Sequence, residues 1–159
     1  MLRPVDSPEE GKAATPARQH WMGALAKADP EFLELAMAPY LRTQYTWLRN
    51  PETGLAMVRG RIGGTGDRFN VGEVTVTRCV LRLPGGFTGV AYVQGRSHRR
   101  CELAALADAL LQDASMHEEV FQNVVEPAQR AQAADALALR QRAQATRVEF
   151  FTVAREAGV

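Results

Sequence analysis

Of the 159 residues, only two are cysteine and three are histidine, and aromatic residues make up 7%. Cys79 and Cys101 are too few for a disulfide scaffold. Neither belongs to a Cys-x-x-Cys pair, so both read as small buried apolar residues. His20, His98 and His117 fall on separate predicted segments and show neither His-x-x-x-His nor His-x-Glu spacing, so no metal site is expected. No apolar run approaches the ~20 residues a membrane-spanning helix needs. Lysine is also scarce: 17 of the 19 basic residues are arginine. Net charge is +1, too small for a global field toward nucleic acid. Residues 1–14 are polar, contain Pro4 and Pro8 and lack an apolar signal core. They read as a loose N-terminal tail of a cytoplasmic protein.

What is present is a 46% hydrophobic chain whose length favours one domain, here over residues 15–159. The charge is uneven. Between Arg59 and Arg100 eight arginines stand against Asp67 and Glu73, a net of +6 that leaves −5 for the remainder. Within that basic segment lies Arg61-Ile62-Gly63-Gly64-Thr65-Gly66-Asp67-Arg68-Phe69. Glycine permits positive φ and close backbone approach. Successive N–H groups in such a loop can form a concave anion site, and arginine adds a planar fork for phosphate or carboxylate. The loop is not a Walker A motif, because no Gly-Lys-Ser/Thr closes it. It is not a dinucleotide fingerprint either, since Phe69 stands where a third glycine is required.

The predicted elements run helix, sheet, helix. Thr15-Pro16 reads as a helix start, and that helix ends near Ala28. Asp29-Pro30-Glu31 starts a second helix that Pro39 ends. Tyr45–Leu48 and Leu55–Arg61 read as two strands separated by a turn at Asn50–Gly54. Val74–Leu83 is the clearest strand, with Val74, Val76, Arg78, Val80 and Arg82 on one face and Thr75, Thr77, Cys79, Leu81 and Leu83 on the other. After Pro84-Gly85-Gly86, Thr88–Gln94 returns as a fourth strand. Ser97 then caps a helix from His98 to about Ala114. A short helical piece spans about Glu118–Val125, and an Ala/Gln/Arg-rich helix spans Ala128–Thr146. The latter has few large apolar residues, which suits packing on another subunit or another domain. Arg147–Val153 reads in two ways, as a strand from its alternation and β-branching or as a continuation of the preceding helix, with the strand preferred. The expectation is an α+β fold: N-terminal helices, an antiparallel sheet of about four strands, and C-terminal helices packed on it or on a partner subunit.

No catalytic constellation emerges. Cys101 follows Arg99 and Arg100 near a helix start, but no base is paired with it. His98, Arg99 and Arg100 oppose the helix dipole, which leaves open a solvated basic patch or a contact with an acidic ligand or partner. Arg78 and Arg82 are either a solvent-exposed strand face or an electropositive sheet surface near the glycine loop.

Several segments together carry a resemblance. They are Arg18-Gln19-His20-Trp21-Met22, Glu52-Thr53-Gly54-Leu55, the glycine loop to Phe69, Thr77-Arg78, Gly95-Arg96, Asp108-Ala109-Leu110, Arg147-Val148 and Phe150-Phe151-Thr152. In order and spacing they resemble the G subunit of the bacterial carbon–phosphorus lyase system, the PhnG family, over about Ala17 to Arg155. The longer N-terminal tail, Asp67 and Thr152-Val153 depart conservatively from that pattern. The resemblance implies a role in phosphonate breakdown, in a core complex with H, I and J subunits in paired copies to which the K and L ATP-binding proteins attach. With the I, H and L subunits such a chain supports transfer of the ribose triphosphate of ATP to methylphosphonate, releasing adenine. The product is α-D-ribose 1-methylphosphonate 5-triphosphate. It further implies that the catalytic equipment, including the J subunit's iron–sulfur cluster, lies on other subunits. This chain then binds no cofactor alone, and ATP is a co-substrate of the complex. Candidates for ligand or interface contact are Arg61, Gly63, Gly64, Thr65, Gly66, Arg68, Phe69, Arg78, Gly95 and Arg96. Interface candidates are His20, Trp21, Arg147, Phe150 and Phe151. The competing readings are a scaffold without ligand contact and a small anion- or nucleotide-binding module. A nucleic-acid role has little support, because the basic segment lacks interleaved aromatics.

Overall fold

The computed structural model describes residues 10–147, with side chains from residue 16 onward. It opens with α1 (Glu10–Lys27) and α2 (Pro30–Met37), continues through strands β1 (Thr46–Arg61), β2 (Arg68–Arg82) and β3 (Thr88–Gln94), and returns to helix in α3 (His98–Leu111). A further helical run consists of α4 (His117–Val120), a π-turn at Phe121–Val125, and α5 (Glu126–Ala145).

The expected tail over residues 1–14 is helical from Glu10, so α1 starts before the Thr15-Pro16 signal and carries Pro16 inside it. Glu10, Lys12, Ala13 and Ala14 are good helix formers, whereas Pro16, the seventh residue of α1, removes the bond to the Lys12 carbonyl and crowds it. At α2 the sequence signal holds. Asp29 caps it by accepting from the N–H groups of Glu31 and Phe32, both at 3.0 Å. Leu33 and Met37 on its inner face are fully buried.

Among the described residues the sheet has three antiparallel strands in the order β1-β2-β3, where about four were expected. The two strands expected around the Asn50–Gly54 turn are one 16-residue strand. Register shifts between Trp47 and Arg49, and between Arg49 and Glu52, show how the turn residues are absorbed. Each is a bulge in which β1 spends one residue more than β2. Pro51 sits in the second bulge of an edge strand, where its missing N–H breaks no ladder bond. β2 also begins earlier than expected, at Arg68, so the glycine loop becomes the tip of a long β1–β2 hairpin. The face assignment of β2 holds: Thr77, Cys79, Leu81 and Leu83 are buried, while Arg78, Val80 and Arg82 look outward.

α3 lies across the buried face and is enclosed from Leu103 to Leu111 on every side. The sheet covers one flank, and α1 and α2 cover the others. Its approach to β3 is closest at Gly89, where a Cβ would lie 1.9 Å from the Ala105 carbonyl oxygen. Only glycine allows this helix–strand spacing. The helical run expected to stop before Pro127 continues through it. The π-turn leaves Val124 and Val125 buried and sets Pro127 in the first turn of α5, where its missing N–H costs little. After Gln132, α5 leaves the core and is exposed on all sides.

Candidate functional site

The motif residues gather in three places. The first is internal. Asp108 is a fully buried carboxylate on α3. Arg18 holds it through Nε (3.1 Å, Oδ1) and Nη2 (2.7 Å, Oδ2), and Trp21 donates Nε1–H to Oδ1 at 2.9 Å. The Val90 amide donates to Oδ2 at 2.9 Å. Arg18 Nη2 and Gln112 Nε2 both also donate to the Thr88 carbonyl, at 3.0 and 2.8 Å. A buried charge is tolerable only when paired and hydrogen-bonded, and this one is saturated. The network locks α1, α3 and β3 together. It reassigns Trp21, an interface candidate in the sequence, to the core, where it is 7% exposed. The signal was available: an aspartate inside Leu106-Ala107-Asp108-Ala109-Leu110 must find donors if that helix is buried. His20, beside Trp21, is exposed.

The second place is where Glu52-Thr53, Thr77-Arg78 and Gly95–His98 converge at the root of the hairpin. Thr77 Oγ1 donates to the Gly95 carbonyl at 2.7 Å. A hydroxyl has one proton, so Thr53 Oγ1, 3.1 Å away, donates to Thr77. Thr53 Oγ1 then accepts from His98 Nε2, also at 3.1 Å, which sets the proton on that nitrogen. Gly95 turns the chain into α3 at φ 95°, a value that favours glycine. Glu52 accepts from Arg78 Nε at 2.7 Å and Arg49 Nη1 at 3.2 Å, and its bond raises the pKa of the Arg78 guanidinium. Arg96 is exposed.

The basic cluster at the start of α3 is mostly answered within the chain. Arg99 grips Glu34 of α2 with Nε (2.9 Å) and Nη2 (2.7 Å) and reaches Glu102 at 3.3 Å. Its hydrogen bond holds Glu34 below the usual carboxylate range. Arg100 Nη2 donates to the carbonyls of Ala26 and Gln94, at 3.1 and 3.2 Å, one of them at the C-terminal end of α1 where a cation is favoured. Cys101 is buried 3.3 Å from Cys79, and its thiol faces the Thr77 carbonyl. The bond to Cys101 and burial push the Cys79 thiol well up, while the same bond lowers the Cys101 thiol against the opposing effect of burial. Both sulfurs are buried, so the pair reads as packing rather than as an accessible nucleophile. His117 packs between Trp21 and Phe121. The three histidines share no site, and no metal-binding group of side chains occurs among the described residues.

The third place is the hairpin tip. Ile62–Gly64 form a single 3₁₀ turn, with Gly63 at φ 58° and Gly64 at φ 80°. Gly66 N–H closes the loop on the Ile62 carbonyl at 2.9 Å. Arg61 Nη1 donates to the Gly66 carbonyl at 3.1 Å, so part of that guanidinium shapes its own loop. Arg61, Thr65, Arg68 and Phe69 are exposed. The structure does not bring Arg78 to this loop. Ten residues of strand separate Arg78 from Arg68, roughly 30 Å at ~3.3 Å per residue. The ten ligand or interface candidates therefore divide between tip and root and do not form one pocket. Arg147 is exposed just after α5; Phe150 and Phe151 lie outside the described residues, as does the strand expected beyond Arg147.

The sequence profile of the family described as "Phosphonate metabolism protein PhnG" matches residues 16–156. The chain belongs to the PhnG family. A relative from Rhizobium meliloti (strain 1021), named "Alpha-D-ribose 1-methylphosphonate 5-triphosphate synthase subunit PhnG", is 42% identical over 144 residues. That match covers 90% of this chain and 92% of the relative. For this PhnG family member, each of the three clusters lies inside the matched span. Among its described residues, no helix is long and apolar enough to cross a membrane.

Proposed function

We propose that the chain is a subunit of an α-D-ribose 1-methylphosphonate 5-triphosphate synthase within a carbon–phosphorus lyase core complex. The observation that carries this reading is the near-full-length match to a subunit of that name. Its partners are the I subunit most directly, the H and J subunits in the core, and the K and L ATP-binding proteins. The complex transfers the ribose triphosphate of ATP to methylphosphonate in the cytoplasm and releases adenine. ATP is the co-substrate of the assembly, and this chain holds no cofactor of its own. Its contribution is structural: the Asp108 network makes a stiff platform, and the hairpin and α5 extend from it with exposed apolar side chains. Leu55 (65%), Ile62 (73%) and Leu139 (68%) are examples. Exposed apolar surface of this kind marks interaction sites.

The test is reconstitution. The I, H and L subunits with ATP and methylphosphonate should release adenine when this chain is present, and release should fall at least tenfold when it is omitted. Co-expression should yield a stable complex with the I subunit. A monodisperse lone chain that never co-purifies with that subunit rules the reading out.

A second reading is supported by the open tip: Arg61 and Arg68 contact the triphosphate or phosphonate and stabilise its charge electrostatically. In Arg61→Ala and Arg68→Ala complexes that still assemble, this reading expects reduced adenine release. Unchanged release removes it, and lost assembly assigns the tip to the interface.

A further inference from the structure

Strand β3 pairs with β2 only from Val76 to Arg82, whereas the β1–β2 ladder continues from Gly54↔Val76 to Arg61↔Arg68. Those outer residues form a two-stranded ribbon beyond the third strand and beyond the helices. An isolated ribbon of this kind is marginally stable in water. Its two faces differ in chemistry. The register puts Ala56, Val58, Phe69 and Val74 on one face. Val71 joins them at the bulge, since a Cβ on Gly60 would meet Val71 Cγ2 at 2.8 Å and the Phe69 ring at 3.8 Å. The opposite face carries Leu55, Met57 and Glu73 nearer the root and Arg59, Arg61 and Arg68 toward the tip. None of these three arginines makes an ion pair among the described residues.

We propose that this ribbon is the docking arm of the chain, and that it inserts into a groove of a different protein subunit with an apolar wall and a carboxylate-lined end. The charge asymmetry selects that occupant. A second copy pairing through the apolar faces leaves the arginines unanswered. A second copy pairing through the opposite faces brings three guanidinium groups from each chain together with only Glu73 from each to answer them, which is destabilising. A heterologous groove can satisfy both faces at once, burying Val58 and Phe69 while acidic side chains meet Arg59, Arg61 and Arg68.

The inference rests on the reading of the chain as a complex subunit, and its test uses the co-expressed pair described above. Val58→Asp with Phe69→Asp should lower retention by the partner at least tenfold, with the thermal melt of the variant unchanged because the ribbon lies outside the core. Replacing Arg59, Arg61 and Arg68 by Gln should lower retention several-fold at low salt and abolish its salt dependence. A photo-crosslinking residue at Ile62 in the otherwise native chain should link to the partner, which covers the case of a variant that fails to fold. If the native pair forms but both variants are retained normally and the tip does not crosslink, the arm is elsewhere and the subunit reading stands. If the native pair never forms, the subunit reading fails first. A homodimer of the lone chain that Val58→Asp with Phe69→Asp dissolves would overturn the proposal in favour of a second copy.

Discussion

Arg61 and Arg68 face each other as the last cross-strand pair of the β1–β2 ribbon. Like charges placed directly opposite oppose strand pairing, and opposite charges favour it, by about 0.2–1 kcal/mol. Arg68→Glu should therefore tighten the ribbon of the unpartnered chain. Amide exchange of Gly60 to Phe69 should slow several-fold, while retention by the partner falls. Faster exchange in this variant would show that the pair is not repulsive in solution.

Asp108 accepts from Arg18 Nε and Nη2, Trp21 Nε1 and the Val90 amide, with Gln112 Nε2 at 3.5 Å, and sits fully buried. Asp108→Ala strands Trp21 Nε1, the Val90 amide and the Arg18 guanidinium together. Breaking a buried pair from one side costs about 3–5 kcal/mol. Arg18 is one-third exposed, so in Asp108→Ala its freed guanidinium can turn to water, whereas Arg18→Ala leaves the fully buried carboxylate without its cation and should cost no less than Asp108→Ala, about 3–5 kcal/mol. Denaturant midpoints of the two variants check both the size and the order.

Gly89 is the close contact between β3 and α3. Its substitution by alanine would put a methyl 1.9 Å from the Ala105 carbonyl oxygen and 2.9 Å from Ala109 Cβ. Helix backbone cannot give way as a side-chain tip can. The cost should reach the top of the overpacking range, about 3 kcal/mol or more. Gly63→Ala at the exposed tip meets no atom within 4 Å and should cost only its left-handed strain, about 1–2 kcal/mol. Parallel thermal melts should separate the two.

Tyr45 donates to Glu102 at 2.5 Å, and burial followed by that bond pushes its phenol up to about 12. The folded value lies above the ordinary 10.0, so the stabilisation is fully present below pH 10 and is lost as pH rises through about 12. Between pH 10 and 12 the native chain should lose stability faster than Tyr45→Phe. Denaturant midpoints along that limb, with phenolate absorbance to count late-titrating tyrosines, check the sign.

Much of this was legible in local pattern. The Asp29 and Ser97 caps, the two faces of β2 and the turn before β3 follow from rules that act within a few residues. The fold class followed too, because helix and strand periods differ along the chain. What misled was also local. Asn50-Pro51 reads as a turn, yet it is a bulge, because pairing to Arg78 and Val80 across the hairpin outweighs the turn signal. Trp21 stands as an interface candidate until Asp108, 87 positions away, claims its N–H.

The sequence by itself determined the family, the α+β class, the glycines that bend the tip, and the lack of any standard nucleotide motif. These depend on residue type and near-neighbour spacing. Only the tertiary structure decided that the glycine loop crowns a ribbon reaching past the third strand, that Arg78 and Arg96 stay at the ribbon's root, and that Arg99 and Arg100 are answered within the chain. Those outcomes depend on strand length, register and distant partners, and on which charges burial leaves without an acid to meet them.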